Sequence, residues 1–239
     1  MATSANLLAA CDAAGVSKFV FSSTAAVYGN PSKLGVNEEV TPAPINPYGT
    51  TKLVTEWMLR DYADSHNDFR FVALRYFNVA GARPDGKLGQ ATPNATHLIK
   101  VACETACGLR ESVSIFGTDY PTADGTCIRD YIHVDDLARA HLDSLAYLEQ
   151  KGDSAVFNCG YGNGFSVRDV LEAVRQVSGV NFTIREESRR VGDPVSLIAN
   201  ADLIHKTLGW KPQFNDLELI CKSAYQWEKQ LRIHAKVAV

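Results

Sequence analysis

Asn6-Leu-Leu-Ala-Ala-Cys-Asp-Ala-Ala-Gly-Val-Ser-Lys-Phe-Val-Phe-Ser22 is the stretch that decides the fold. Residues 6–14 carry apolar side chains at helical spacing and stop at Gly15, a residue that enters the left-handed conformation without a Cβ clash and so ends helices. Residues 18–22 then read as a buried strand, with the apolar run Phe19-Val-Phe21 at its centre, of the kind that is covered on both faces. A helix feeding such a strand is half of a parallel α/β repeat, and the pattern recurs downstream. Pro, Gly and Asn make 30–46 a loop, and Pro47 opens a helix to about residue 65, since the N–H it lacks has no partner in a first turn. A strand over 69–75, an irregular segment over 78–94, a helix over 96–109, a short strand over 113–116 and a turn-rich loop over 118–129 follow. The helix over 134–149 has Asp135 and Asp136 in its first turn, where the macrodipole favours acids. Beyond it the spacing predicts strands over 155–159, 181–185 and 196–199, and helices over 167–178, 201–208 and 215–231. Strands separated by helices predict a parallel α/β sheet. Regular alternation yields to long loops between Ala80 and Ala95, where a boundary between two parts is expected.

A chain of 239 residues can bury a sizeable core. Its apolar runs fall far short of the roughly 18 residues that span a bilayer. The opening Met1-Ala-Thr-Ser-Ala-Asn6 is polar rather than basic and then apolar, so neither membrane insertion nor secretion is expected. Six cysteines in apolar contexts are too few for a disulfide scaffold and fit reduced thiols in the cytoplasm. A net charge of −3, with no basic run longer than Arg189-Arg190, argues against nucleic acid as a partner.

The chemistry starts at Tyr48 and Lys52 in Pro47-Tyr-Gly-Thr-Thr-Lys52. Four apart on a helix, they share a face, and a cation beside a phenol favours the phenolate. That makes Tyr48 a candidate general base. Thr24, at the C-terminal end of the strand carrying Ser22, can hydrogen-bond the same substrate oxygen, because ligands of open α/β sheets gather at such strand ends. A lone Tyr-x-x-x-Lys pair occurs by chance, as a solvated lysine beside a packed tyrosine; the Ser-Ser-Thr strand end and the Pro-Tyr-Gly helix start set this one apart.

Phe21-Ser-Ser-Thr-Ala-Ala-Val-Tyr-Gly29, Pro47-Tyr-Gly-Thr-Thr-Lys52, Leu74-Arg-Tyr-Phe-Asn78, Ile115-Phe-Gly117 with Asp119-Tyr-Pro-Thr122, and Arg129-Asp-Tyr-Ile-His-Val134 resemble the extended short-chain dehydrogenase/reductase family. The likeness runs from the first helix to about Leu231. It implies the C-terminal part of a Rossmann-type doubly wound parallel sheet over 1–80, rejoined by segments near 113–150, plus a smaller mixed α/β domain over 81–239 that binds a UDP-sugar. It implies NAD as cofactor and interconversion of UDP-glucose and UDP-galactose by oxidation and re-reduction at sugar C4. By the same resemblance Tyr48 is the catalytic base, Lys52 tunes it and binds the nicotinamide ribose, and Thr24 contacts the sugar 4-hydroxyl. Ser22, Tyr76 and Phe77 adjoin the cofactor. Asn78, His97, Leu98, Ser114, Phe116, Arg129, Arg190, Asp193 and Leu197 adjoin the substrate: Ser114 and Phe116 at the uracil, Arg129 and Arg190 at the diphosphate, Asp193 at the nucleotide ribose and Leu197 near the sugar 2-substituent. Planar guanidinium groups suit phosphate oxygens in pairs, although a surface ion pair is the plainer reading of either arginine taken alone.

Sibling dehydratases place an Asp-Glu pair after the catalytic threonine. Here Ala25-Ala26 stands there, and methyl groups move no protons. A dehydratase or net oxidoreductase is thereby disfavoured, while a non-catalytic remnant that binds UDP stays open. The family also opens on a strand, a glycine-rich turn and a helix that hold the NAD pyrophosphate. These 239 residues contain no such segment, which implies weak NAD binding and little activity for the chain alone, as for a fragment or a shortened gene. Helices over 3–14 and 47–65 match the family's dimer interface, so a homodimer is expected. Gly160-Tyr-Gly-Asn-Gly164 has the wrong spacing for a dinucleotide loop and is a turn leading to an N-cap at Ser166. Cys103 and Cys107 lack further metal-ligand spacing and are expected to be buried. His133 is expected to serve as a structural hydrogen-bonder, and Trp210 and Trp227 as core.

Overall fold

The computed structural model describes residues 2–31 and 35–237; positions 32–34 of the expected 30–46 loop lie outside them. In chain order the elements are α1 (Ala2–Ala13), β1 (Lys18–Thr24), a 3₁₀ turn (Ala25–Tyr28), α2 (Pro47–Ser65), β2 (Arg70–Tyr76), β3 (Asn78–Ala80), α3 (Leu98–Ala106), β4 (Ser112–Phe116), β5 (Ile128–His133), α4 (Val134–Glu149), β6 (Ala155–Cys159), β7 (Gly164–Ser166), α5 (Val167–Ser178), β8 (Thr183–Glu187), β9 (Ser196–Leu197), α6 (Asp202–Leu208) and α7 (Leu217–Val237).

β1, β2 and β6 form a parallel sheet in that order. Side chains alternate across a strand, and both faces are apolar. Phe19, Phe21, Phe71 and Ala73 pack with Leu8 of α1 and Leu59 of α2 on one face. Val72, Leu74 and Phe157 pack with Leu137 and Ala140 of α4, and Ile204 and Trp210, on the other. Helices on both faces of a parallel sheet are the doubly wound arrangement that the sequence predicts.

A second assembly joins β3, β5 and β7, with β9 also paired to β5, and β4 pairs with β8 in parallel. α3, α5 and α7 pack together over a core that includes Ile99, Cys103, Ile115, Tyr131, Val170, Leu171 and Ile220. A buried ion pair, Lys100 to Glu228 at 2.5 Å, fastens α7 to α3. Ser166 N-caps α5 through a full capping box with Asp169, as its position after the glycine-rich turn suggested. All six cysteines are buried, and none is in a disulfide.

Strand β5 corrects the expectation of a loop through residue 129. Arg129, Asp130 and His133 give it a polar appearance, but Asp130 and His133 are fully buried with every polar atom engaged. His133 Nε2 donates to the Ala82 carbonyl at 3.1 Å, and Nδ1 accepts from the Asp135 N–H that opens α4. Asp130 accepts backbone N–H bonds from Tyr161, Gly162 and Ala199. Burial outweighs those bonds and pushes its carboxyl up to about 6. As pH falls, the folded chain therefore takes up this proton before the unfolded chain does near its ordinary value of about 3.9. The Asp130 contribution to stability is complete below about pH 4 and is lost as pH rises through about 6. Urea unfolding should show the wild type gaining on Asp130→Asn between about pH 7 and pH 5, by at most ~1.4 kcal/mol per unit.

Candidate active site

The C-terminal ends of β1 and β2 and the first turn of α2 converge on one cavity of about 340 Å³. Asn46 N-caps α2, its Oδ1 accepting the Gly49 N–H at 2.8 Å, and Pro47 occupies the first turn. Gly49 lets this helix start lie directly on the 3₁₀ turn, because a Cβ there would stand 2.5 Å from the Ala26 carbonyl oxygen. The close approach brings Tyr48, which is 53% exposed, to the same cavity wall as Thr24, Ala25 and Ala26. An Asn46→Ala variant should lose about 0.5–2 kcal/mol on urea unfolding, the worth of an N-cap.

Tyr48, Thr24, Tyr76, Phe77, Asn78, His97, Arg129, Asp193 and Leu197, all singled out in the sequence, line this cavity. Leu98 lies next door, lining a smaller cavity that shares Asn78, Val79 and His97 with the first. Arg190 and Phe116 adjoin the first cavity through Asp193, whereas Ser114 lies on β4 outside its lining. Val113 and Ile115 are buried, so Ser114 and Phe116 face the other side of β4. The Arg190 guanidinium sits 4.5 Å over the Phe116 ring and donates to Asp193 at 2.9 Å. A stacked aromatic, an arginine and an acid are thus gathered at the cavity's rim.

Lys52 and Ser22 lie beneath. The Lys52 ammonium donates to the Ser22 carbonyl at 2.9 Å and stands 5.1 Å from the Phe21 ring and 5.8 Å from the Tyr48 ring. The pairing with Tyr48 is therefore through the ring, and the hydrogen bond goes to the strand. Burial lowers the Lys52 pKa, and among the described residues it pairs with no carboxylate. The Ser22 hydroxyl meets His141 Nε2 at 3.2 Å, whose Nδ1 faces the Leu137 carbonyl. Burial raises the Tyr76 phenol.

Sequence reasoning missed, among others, Ile45, Asn46 and Gly192 as lining residues. Ile45 and Asn46 end the loop before α2 and Gly192 lies on a loop far along the chain, and only the Asn46-Pro47 helix-start signature could have flagged one of them.

Comparison with known proteins shows the family. A curated UDP-glucose 4-epimerase of Azospirillum brasilense is 55% identical over 230 residues, 96% of this chain and 66% of the relative. The chain thus spans about two thirds of the length of the curated relatives it matches. The solved UDP-Glc/GlcNAc 4-epimerase of Campylobacter jejuni is 55% identical, with a TM-score of 0.78 over 95% of this chain and 69% of that one. The Bifidobacterium longum UDP-glucose 4-epimerase, solved with NAD+ and UDP, is 35% identical, with a TM-score of 0.91 over 95% of this chain and 68% of that one. Residues 1–160 match the model of the NAD dependent epimerase/dehydratase family, and with a cavity built from the strand ends and the Tyr48–Lys52 helix, the chain belongs to that family.

Proposed function

We propose that this chain takes part in the NAD-dependent interconversion of UDP-glucose and UDP-galactose at sugar C4. The observation that carries the reading is that one cavity is lined by Thr24, Tyr48 and Tyr76 together with Arg129 and Asp193. The residues present suit the cofactor's nicotinamide end. Lys52 has a partly desolvated ammonium engaged by one carbonyl, which leaves donors for ribose hydroxyls, and Tyr76 and Phe77 supply a flat wall. When bound, NAD+ supplies the hydride acceptor and donor for C4. Tyr48 takes and returns the C4 hydroxyl proton, and Thr24 hydrogen-bonds the same oxygen. Arg129 and Arg190 hold the diphosphate, so the sugar can present either face while its handle stays fixed. Ala25 and Ala26 border the cavity where an elimination would need an acid and a base.

Calorimetry with UDP is the first test, with binding expected and abolished affinity counting against the reading. Turnover of UDP-galactose is to be assayed at saturating NAD+.

A homodimer through helices 3–14 and 47–65 belongs to the same proposal. α1 is apolar nearly all round, yet only Leu8 and Cys11 are buried, and Leu7 and Trp57 are about half exposed. Such faces seek partners. A monomeric mass by light scattering would remove this part of the reading. The buried thiols fit a reducing, cytoplasmic setting.

A further inference from the structure

The register of the three-stranded sheet lines up Ser23, Arg75 and Asn158 side by side on three neighbouring strands. All three are buried, on the face toward α2. Glu56 of α2 and Tyr28 of the 3₁₀ turn drop into this polar row. Arg75 Nε lies 3.0 and 3.2 Å from the two Glu56 oxygens and its Nη2 lies 2.5 Å from Oε2. The Ser23 hydroxyl donates to Glu56, Arg75 Nη1 donates to the Tyr28 hydroxyl at 3.0 Å, and that hydroxyl donates to Asn158 at 2.7 Å. Burial alone would weaken the guanidinium, but Glu56 and Tyr28 hold Arg75 above its ordinary range.

Four of the five members adjoin a residue of the candidate site. Ser23 precedes Thr24, and Arg75 precedes Tyr76. Glu56 lies one helical turn beyond Lys52 and two beyond Tyr48. Tyr28 closes the turn that carries Ala25 and Ala26. None of the five lines the cavity. Apolar side chains could fill the same space at equal or lower cost, since the desolvation penalty of a buried ion pair commonly cancels its attraction. What an apolar cluster lacks is direction: a planar guanidinium fork against a carboxylate fixes both slide and rotation of the helix that bears the acid.

We propose that the Glu56–Arg75 pair is a positioning device, setting α2 against the ends of β1 and β2 so that Tyr48, Lys52 and Thr24 meet in one geometry. The catalytic half of this inference rests on the function proposed above. Its geometric half does not.

The test removes both charges together, Glu56→Leu with Arg75→Met, so that no lone buried charge unfolds the chain, and compares Arg75→Lys, which keeps the charge and loses the fork. Four measurements are made on the 239-residue protein: the melting temperature, UDP affinity by calorimetry, the titration of the Lys52 ammonium by NMR of lysine-labelled chain, assigned with Lys52→Arg, and the kinetics of UDP-galactose turnover. The double variant should melt within ~5 °C of wild type. Its Lys52 should nonetheless titrate higher, moving toward the ordinary lysine value of ~10.4 as the ammonium leaves the Ser22 carbonyl for water. Arg75→Lys should move it the same way by less. At saturating NAD+ and UDP-galactose, kcat should fall at least ~10-fold with KM little changed, as misplacement of a catalytic group predicts. A folded double variant whose Lys52 titrates as in wild type overturns the proposal. If that variant does not fold, an unmoved Lys52 in Arg75→Lys overturns it instead. A wild-type chain that binds no UDP would sink the functional reading, and the Lys52 titration would still decide the positioning role.

Discussion

Replacing Tyr48 with phenylalanine is expected to cut turnover of UDP-galactose by about 10²–10⁴-fold at saturating NAD+, the usual worth of a general base. UDP affinity should stay within about twofold of wild type, because the uracil and diphosphate contacts proposed for Phe116, Arg129 and Arg190 lie elsewhere on the cavity. The comparison is clean at this position. Tyr48 is 53% exposed, so loss of its hydroxyl should shift stability by no more than ~0.5 kcal/mol. Thr24 offers no such separation, since its Oγ1 also accepts the Ala26 N–H that starts the 3₁₀ turn. Matched rates in wild type and Tyr48→Phe would remove the tyrosine from the mechanism, whatever the UDP affinity.

Arg75→Met alone is expected to cost about 3–5 kcal/mol of stability, because it leaves the Glu56 carboxylate buried without its cation. For a chain of this size that corresponds to a fall of roughly 6–20 °C in melting temperature by scanning calorimetry. The effect should largely vanish when Glu56 is made apolar as well, which separates the penalty of an orphaned charge from the worth of the pair. An exposed pair gives the contrast. Arg168 and Glu186 meet at 2.6 Å with 43% and 54% of their side-chain surfaces exposed, and Arg168→Ala should cost no more than ~1 kcal/mol. A loss of similar size at Arg75 would mean that water reaches the pair.

Tyr48, Lys52 and Thr24 are legible in the sequence because helix spacing and strand-end placement are local rules, and the longer motifs around them are specific. The doubly wound sheet is legible for the same reason, since Phe19, Phe21, Phe71 and their neighbours sit in short apolar runs between clear helix signals. β5 is hidden because periodicity treats Asp130 and His133 as solvent-seeking, whereas each is satisfied by backbone groups contributed from segments as distant as Ala82 and Ala199. Glu56 is hidden by the same assumption. A glutamate in a helix is ordinarily on its wet side, and only the strand register reveals the guanidinium waiting for it. The destination of the Lys52 ammonium is set by tertiary packing: helix spacing places it beside Tyr48 but does not say that its hydrogen bond reaches across to β1.

The three hydroxyl residues that end β1 look interchangeable on paper, yet they point alternately: Ser22 toward His141 of α4, Ser23 toward Glu56 of α2, Thr24 to the cavity. Inserting or deleting one residue between Lys18 and Ser22 would therefore not merely shift the strand. It would transpose the two rows: a deletion would bring Thr24 to the Glu56 carboxylate, and an insertion would bring Ser23 to the cavity. Length changes in this chain are best confined to the Gly15–Ser17 connection, where a looped-out residue leaves the parity of everything downstream intact.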